Sequence, residues 1–320
     1  MARILAIGGA HIDLTGRLDA PHRAGASNPG RWVSEPGGGA FNAARNLARL
    51  GHHVTLVSPR GGDAAAEQVA DAAEAAGIED CPLTFLDRAT PSYTAILEPD
   101  GNLVTALADM KLYDIIPARR LMSARMRARI AVSNLVLADA NLPQDALAAL
   151  TREAHARGVP LAAIAVSPAK VVRWKPSLPG LLLLAMNTAE AAALLDIETG
   201  ETGEPGRPGP SALPLSLKAQ GLASGLVSAG AGPVLAWSGN ASVSLVPPPL
   251  GEIEDVTGAG DALVSGYLDA WLEGRPVEAC LRSGIALARL TAATAGPVLQ
   301  DLTRERLAQA VAAMPKPASC

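Results

Sequence analysis

The chain has 320 residues, of which 49% are hydrophobic, 18% charged and 3% aromatic, and its formal net charge is −4. That length makes one large domain or two modest ones, and the apolar content buries a core without disulfide or metal staples, so a disordered chain is excluded. The acidic balance and the scarcity of Phe, Tyr and Trp exclude the basic, base-stacking surface of a general nucleic-acid binder.

Residues 3–8 read as a short buried strand that runs into a glycine turn, Gly8-Gly9-Ala10-His11-Ile12-Asp13. The apolar run before that turn is too short for a secretory segment, so a cytoplasmic location is expected. Residues 31–35 form another short strand candidate, between Asn28-Pro29-Gly30 and Pro36-Gly37-Gly38. Residues 40–50 are helical, with Phe41, Ala44, Leu47, Ala48 and Leu50 near one face and Gly51 closing it. His52-His53 reads as a surface turn. Residues 54–57 are the next strand, and 64–76 an alanine-rich helix stopped by Gly77. This rhythm argues for an α/β sheet with parallel strands.

Residues 93–98 and 103–108 break the rhythm. They flank Pro99-Asp100-Gly101-Asn102, a hairpin signature. Strands that pair locally inside an alternating chain predict a small β-sheet standing off the main domain. After Pro117 the alternation returns: strands at 135–138, 161–166 and 181–185, a helix at 144–157 and another from Thr188. Residues 200–211, rich in Gly and Pro, read as a surface loop. Residues 226–228 and 234–238 are strands around Gly230-Ala231-Gly232-Pro233. The longest apolar stretch, 178–195, is interrupted by Pro179, Asn187 and Glu190 and does not read as a membrane span. There is no 20–50-residue repeat, Walker motif or dinucleotide fingerprint. Cys81, Cys280 and Cys320 are too far apart for a zinc ribbon or a disulfide framework and read as reduced thiols.

Three segments carry chemistry. Asp255-Val256-Thr257-Gly258-Ala259-Gly260-Asp261 precedes a helix whose Leu263, Val264, Tyr267, Leu268, Trp271 and Leu272 form one apolar face. A glycine turn at a helix N-terminus offers free N–H groups and the positive dipole end to an anion. Asp261, in the first turn beside it, suits a general base for an attacking hydroxyl. Gly37-Gly38-Gly39-Ala40-Phe41-Asn42 enters the earlier helix and allows close backbone approach to a polyol, with Asn42 bonding hydroxyls and Asp13 accepting from neighbouring ones. Asn187-Thr188-Ala189-Glu190 has the spacing of a capping box, and Glu190 could also orient waters on Mg²⁺. Read singly, each segment is also an ordinary turn or cap.

In order along nearly the whole chain, these segments resemble the ribokinase-like (PfkB-type) carbohydrate kinase family. Gly8 to Asp13 looks like its opening motif, Gly37-Gly38 through Asn42 to Leu50-Gly51 its N-terminal signature, and Asn187-x-x-Glu190 its metal-associated motif. Asp255 to Asp261 looks like its C-terminal signature. The resemblance implies a three-layer α/β core with a mainly parallel sheet, residues 1–11, 37–90 and 111–320, and a small β-sheet lid, residues 12–36 and 91–110. It implies transfer of the ATP γ-phosphoryl group to a sugar hydroxymethyl, with Asp261 as base and the N–H groups of Gly258, Ala259 and Gly260 on the transferring phosphate. Asn187, Ser228, Gly230, Gly258 and Gly260 would contact the nucleotide. Glu190 would hold Mg²⁺ through water, and Asp255 and Thr257 a monovalent cation such as K⁺.

Ser27-Asn28-Pro29-Gly30, Ala108-Asp109-Met110 and Asp139-Ala140-Asn141-Leu142 are similar to the branch that phosphorylates pseudouridine. That implies a nucleoside 5′-hydroxyl as acceptor, with Asp13, Asn28, Gly38, Gly39, Asn42, Tyr93, Asp109 and Asn141 as its contacts. A homodimer joined through the lid is expected, with no nucleic-acid polymer and no membrane as partner. The chain departs from the family pattern at His11, where relatives commonly carry Asn, and at Ala163, Ala185 and Gly230 to Pro233. A kinase for another sugar or nucleoside, such as ribose or adenosine, and a non-catalytic sugar- or nucleotide-binding regulator remain open on sequence.

Overall fold

The structure, a computed structural model, describes residues 1–197, 212–251 and 255–319. The loop expected at 200–211 lies outside the described residues. The chain opens with β1 (Arg3–Ile7), β2 (His11–Leu18), β3 (Gly30–Gly37), α1 (Gly39–Arg49) and β4 (His53–Val57). It continues with β5 (Pro59–Arg60), α2 (Ala64–Ala75), β6 (Glu79–Asp80) and β7 (Leu83–Thr84). β8 (Ser92–Leu97) and β9 (Leu103–Asp109) form the expected hairpin, followed by α3 (Lys111–Asp114), α4 (Ala118–Leu121) and α5 (Ala124–Val132). Alternation then returns through β10 (Leu135–Asp139), α6 (Gln144–Ala156), β11 (Leu161–Ile164) and α7 (Pro168–Val171). A 3-10 helix (Val172–Gly180) leads to β12 (Leu183–Asn187) and α8 (Thr188–Leu194). After α9 (Leu213–Ala219), the strands β13 (Ser224–Ser228), β14 (Val234–Ser238) and β15 (Ala241–Leu245) precede the long pair α10 (Ala259–Leu272) and α11 (Val277–Ala292). α12 (Arg304–Ala312) and β16 (Ala318–Ser319) complete the described chain.

The main sheet has ten strands in the order β16-β15-β14-β13-β12-β11-β10-β1-β4-β6. Pairing is parallel from β13 to β6 and antiparallel from β13 to β16. The central strands are near-continuous apolar runs because both faces are covered. In β1, Ile4 and Ala6 join the core under α1, α2, α10 and α11, while Leu5 and Ile7 join the opposite core under α5, α6 and α8. The result is a three-layer α/β fold with a mainly parallel sheet. Its strand order reverses at β1, which lies between β10 and β4. At such a switch the loops leaving adjacent carboxyl ends diverge, opening a crevice for ligands.

A separate four-stranded sheet, β3-β2-β8-β9, stands on that end of the core. Its rows put Glu35, Asp13, Tyr93 and Ala108 side by side, and Pro36, Ile12, Ser92 and Asp109 on the next row.

Three details differ from the sequence reading. β11 stops at Ile164 because Val166 adopts a left-handed φ of 70° and Ser167 N–H turns back to the Ala165 carbonyl. β12 begins at Leu183 rather than 181, since the 3-10 helix with Pro176 and Pro179 uses the chain up to Gly180. His52 is not in a surface turn. It is buried, accepts Ala2 N–H at Nδ1 and meets Asp269 of α10 through Nε2 at 2.8 Å. His53 alone of the pair is exposed, on β4.

Candidate active site

The base candidate lies where the sequence motif places it. Gly258, the residue before α10, has φ 74°, and a β-carbon there would run into the Pro297 carbonyl, so only glycine fits. Ala259 N–H is already bonded to the Val256 carbonyl (3.2 Å), because the turn before α10 closes on itself. Of the three amides expected to face an anion, those of Gly258 and Gly260 are without a partner among the described residues. Gly260 and Ala259 line a cleft of ≈ 330 Å³ with Ser228, Gly230, Ala231 and Leu263. Apolar walls with a few backbone donors suit a nucleotide base and its phosphates.

Asp261 sits in the first turn of α10 and keeps some surface toward the crevice. Its Oδ2 accepts a hydrogen bond from Asn42 Nδ2 at 2.8 Å. Its Oδ1 faces Gly39, where a β-carbon would lie 3.4 Å away. Protein packed around the carboxyl group removes water and pushes its pKa up to about 7. The Asn42 bond lowers it, Asp139 raises it, Arg45 lowers it and Asp13 raises it, in falling order. A carboxylate poised near neutrality is matched to taking a proton from an alcohol.

Asp139, at the carboxyl end of β10, lies in the Asp139–Leu142 match but was given no role from sequence. It is wholly buried and accepts four hydrogen bonds. Its Oδ2 accepts from Gly9 N–H (2.9 Å), Ala40 N–H (2.9 Å) and Asn141 Nδ2 (3.0 Å), and its Oδ1 from Asn141 N–H (3.0 Å). It therefore ties the glycine turn after β1 to the start of α1 across the switch point. Asn141 is held at both ends, since Lys170 Nζ donates to its Oδ1 at 2.6 Å. Burial lowers the pKa of that lysine. The signal for Asp139 in the sequence was an acidic residue closing an all-apolar strand.

Above the crevice, Asp13 shares its row with Tyr93 and with Glu35, which sequence reasoning missed. Burial raises the Glu35 pKa, helped by Asp255 and opposed by Arg45. Asp13 Oδ1 lies 3.3 Å from His11 Nε2, and a β-carbon on Gly37 would overlap Asp13 Oδ2. The buried Tyr113 hydroxyl accepts Ala10 N–H (2.9 Å) and meets His11 Nδ1 at 3.1 Å. Burial, then Asp139, holds the Tyr113 pKa well above its usual value, so the hydroxyl keeps its proton. The other ring nitrogen, Nε2, faces the Asp13 carboxylate. Gly38 and Gly39 lie in the same turn, where a β-carbon on Gly38 would overlap the Gly9 carbonyl.

Other predicted contacts stand apart. Asn28 spends its side chain inside its own loop, on Arg23 N–H, the Arg23 carbonyl and the Ala26 carbonyl. Asp109 is exposed and falls on the Ile12 row, so the pleat turns it to the face opposite Asp13. Asn187 and Glu190 form a full capping box, Glu190 N–H to Asn187 Oδ1 at 2.9 Å and Asn187 N–H to Glu190 Oε2 at 2.7 Å. Burial raises the Glu190 pKa. Asn187 pairs with Ser228 in the sheet, which brings this cap to the rim of the nucleotide-sized cleft. Asp255 Oδ1 accepts Thr257 N–H at 2.8 Å.

Comparison with known proteins agrees with this geometry. The chain is 28% identical to the pseudouridine kinase of Escherichia coli over 87% of each chain. A solved carbohydrate kinase from Agrobacterium tumefaciens is 48% identical, with all of both chains covered and a TM-score of 0.88. The Arabidopsis thaliana ribokinase solved with ribose and ATP shares the fold at 20% identity, with 97% and 98% coverage and a TM-score of 0.80. The model of the pfkB family carbohydrate kinase matches residues 1–303, and the chain belongs to that family.

Proposed function

We propose that this protein is an ATP-dependent kinase that phosphorylates the 5′-hydroxyl of pseudouridine. One observation carries the mechanism: Asp261 presents a carboxylate oxygen, Oδ1, to the crevice while Asn42 holds the other, and its pKa stands at about 7. Asp261 takes the proton of the attacking hydroxyl, and the Gly258 and Gly260 amides meet the charge that builds on the transferred phosphoryl group. Asp13 and Asn42 hold ribose hydroxyls, Gly38 and Gly39 letting the sugar approach the backbone. Tyr93 lies beside them on the small sheet, which acts as a lid of residues 12–36 and 91–110. Asn141 is a further substrate contact of this reading, whereas Asn28, committed inside its own loop, and Asp109, on the opposite face of the small sheet, are not placed to join it. The choice of a C-glycosyl nucleoside is supported by likeness to the Escherichia coli enzyme and by the short Ser27–Gly30 and Ala108–Met110 matches.

Asn187, Ser228 and Gly230 border the nucleotide. The donor set at Glu190 fits Mg²⁺ held through water, because one carboxylate oxygen is committed to the cap and the other remains. Mg²⁺ would neutralise phosphate charge there. Asp255 and Thr257 would serve K⁺, through the Asp255 oxygen that has no hydrogen-bond partner among the described residues. Large apolar side chains left exposed on the small sheet, Trp32, Leu103 and Leu107, support a homodimer joined through the lid. The reading is tested by ADP release with Mg-ATP and K⁺ across pseudouridine, uridine, adenosine, ribose and hexoses. Selective turnover of pseudouridine is the expected result. Preference for ribose or another nucleoside moves the substrate and keeps the mechanism, and ATP binding with no turnover of any of them overturns the choice of pseudouridine and leaves an untested acceptor or a non-catalytic regulator.

A further inference from the structure

A carboxamide can present either its oxygen or its NH₂ group to a neighbour, and only its partners decide which. At Asn42 the decision is made by Arg45, one helical turn further along α1. Arg45 Nη2 donates to Asn42 Oδ1 at 2.6 Å and to the Pro36 carbonyl at 2.7 Å, using both its protons. With Oδ1 committed, Asn42 has only Nδ2–H to give Asp261 Oδ2. Arg45 is 5% exposed, its guanidinium lies 4.6 Å from the Phe41 ring centroid, and its Nε is buried without a partner among the described residues. A cation kept at that depth with one donor unmet is not there for packing alone.

We infer that Arg45 is a positioning residue for catalysis: it locks the Asn42 amide so that Nδ2 holds Asp261, and it fastens the last turn of the lid strand β3 at Pro36 to the same group. The inference rests on Asp261 being the base. Burial brings the Arg45 pKa down to about 10, with Arg49 adding and Asp261, Glu35 and Asp13 opposing, so it stays charged at neutral pH. The groups facing Asp261 are Asn42 and Arg45 from α1, Asp139 from β10 and Asp13 from β2. Among them Arg45 is the cation, and its loss leaves Asp261 with acidic neighbours and an unlocked amide.

The test is the pH dependence of kcat for Arg45→Met, Arg45→Gln and Arg45→Lys, with melting temperatures measured alongside and Asp261→Asn as reference. In Met or Gln variants the acid limb moves up by roughly half a pH unit or more and kcat falls. Arg45→Lys, which keeps the charge, returns the limb toward the wild type. A purely structural role would lower the melting temperature and leave the limb in place. Whichever neutral variant folds decides: a limb unmoved from wild type overturns the inference. Wild-type turnover by Asp261→Asn overturns the base assignment and this inference with it, whereas an inactive Asp261→Asn with an unmoved limb in the Arg45 variants overturns the role of Arg45 alone.

Discussion

His11 Nε2 stands 3.3 Å from Asp13 Oδ1, and its ring is held from the other side by the Tyr113 hydroxyl. A side chain that departs from the common family pattern is thus wired between the core and the carboxylate proposed to grip the sugar. His11→Phe keeps a ring of similar shape and removes the N–H. Loss of this polar contact, on the order of 1 kcal/mol, raises the acceptor KM severalfold, while the ATP KM stays near wild type. Tyr113→Phe, which frees the ring to turn, shifts the same constant less. An acceptor KM unchanged in His11→Phe shows that Asp13 orients itself.

Asp261→Asn keeps the shape and an acceptor for Asn42 Nδ2–H, and removes the group that takes the proton. The expected outcome is a fall in kcat of about 10²–10⁴-fold with the acceptor KM retained. Single-turnover and steady-state assays of ADP release distinguish loss of the chemical step from loss of binding. Wild-type kcat in this variant would remove Asp261 from the base role.

Much of this site was legible because its chemistry is local in sequence. A glycine turn before a buried helix announces Gly258 to Asp261, and alternating apolar runs announce β1, α1, β4 and α2. What escaped depends on long-range register or packing. The work of Asp139 exists only because Gly9 and Ala40 bring their N–H groups to it. His52 looked like part of a polar turn until α10 brought Asp269 to it. Asp109 sits one row from the Tyr93 row, and one residue of register decides which face it takes. The close approach of α11 to α10 depends on small residues that only the fold brings together. A β-carbon on Gly266 would lie 2.5 Å from the Ser283 carbonyl, and one on Gly284 2.6 Å from that of Leu263. Arg45 reads in sequence as one more basic residue on a helix.

Two glycines with the same φ separate backbone strain from site geometry. Gly258 and Gly274 flank α10, both at 74°, but a β-carbon on Gly274 meets nothing within 4 Å, whereas one on Gly258 strikes the Pro297 carbonyl. Gly274→Ala is expected to cost about 1–2 kcal/mol in urea unfolding, the left-handed penalty alone. Gly258→Ala adds displacement of the loop and costs more, and it shifts the amide aimed at phosphate, so ADP release falls with stability. Equal losses in the two variants would show that Pro297 yields freely.

The raised pKa of Asp261 fixes the direction of two pH effects. As a base it works ionised, so kcat falls as pH drops through about 7 and is flat above it. For stability the sign is opposite. In the unfolded chain this group titrates near 3.8, so the folded state binds the proton more tightly. Its protonated form stabilises the fold fully below about 4, and that contribution is lost as pH rises through about 7. Ionised Asp261 at pH 8 therefore strains the site it serves, and Asp261→Asn, which cannot ionise, relieves it. The variant melts above wild type at pH 8, by a few degrees at roughly 2–4 °C per kcal/mol, and the gap narrows as pH falls toward 5. Thermal unfolding of both proteins from pH 5 to pH 8 checks this, and a gap that stays constant or widens on acidification would show that burial does not raise this carboxyl group.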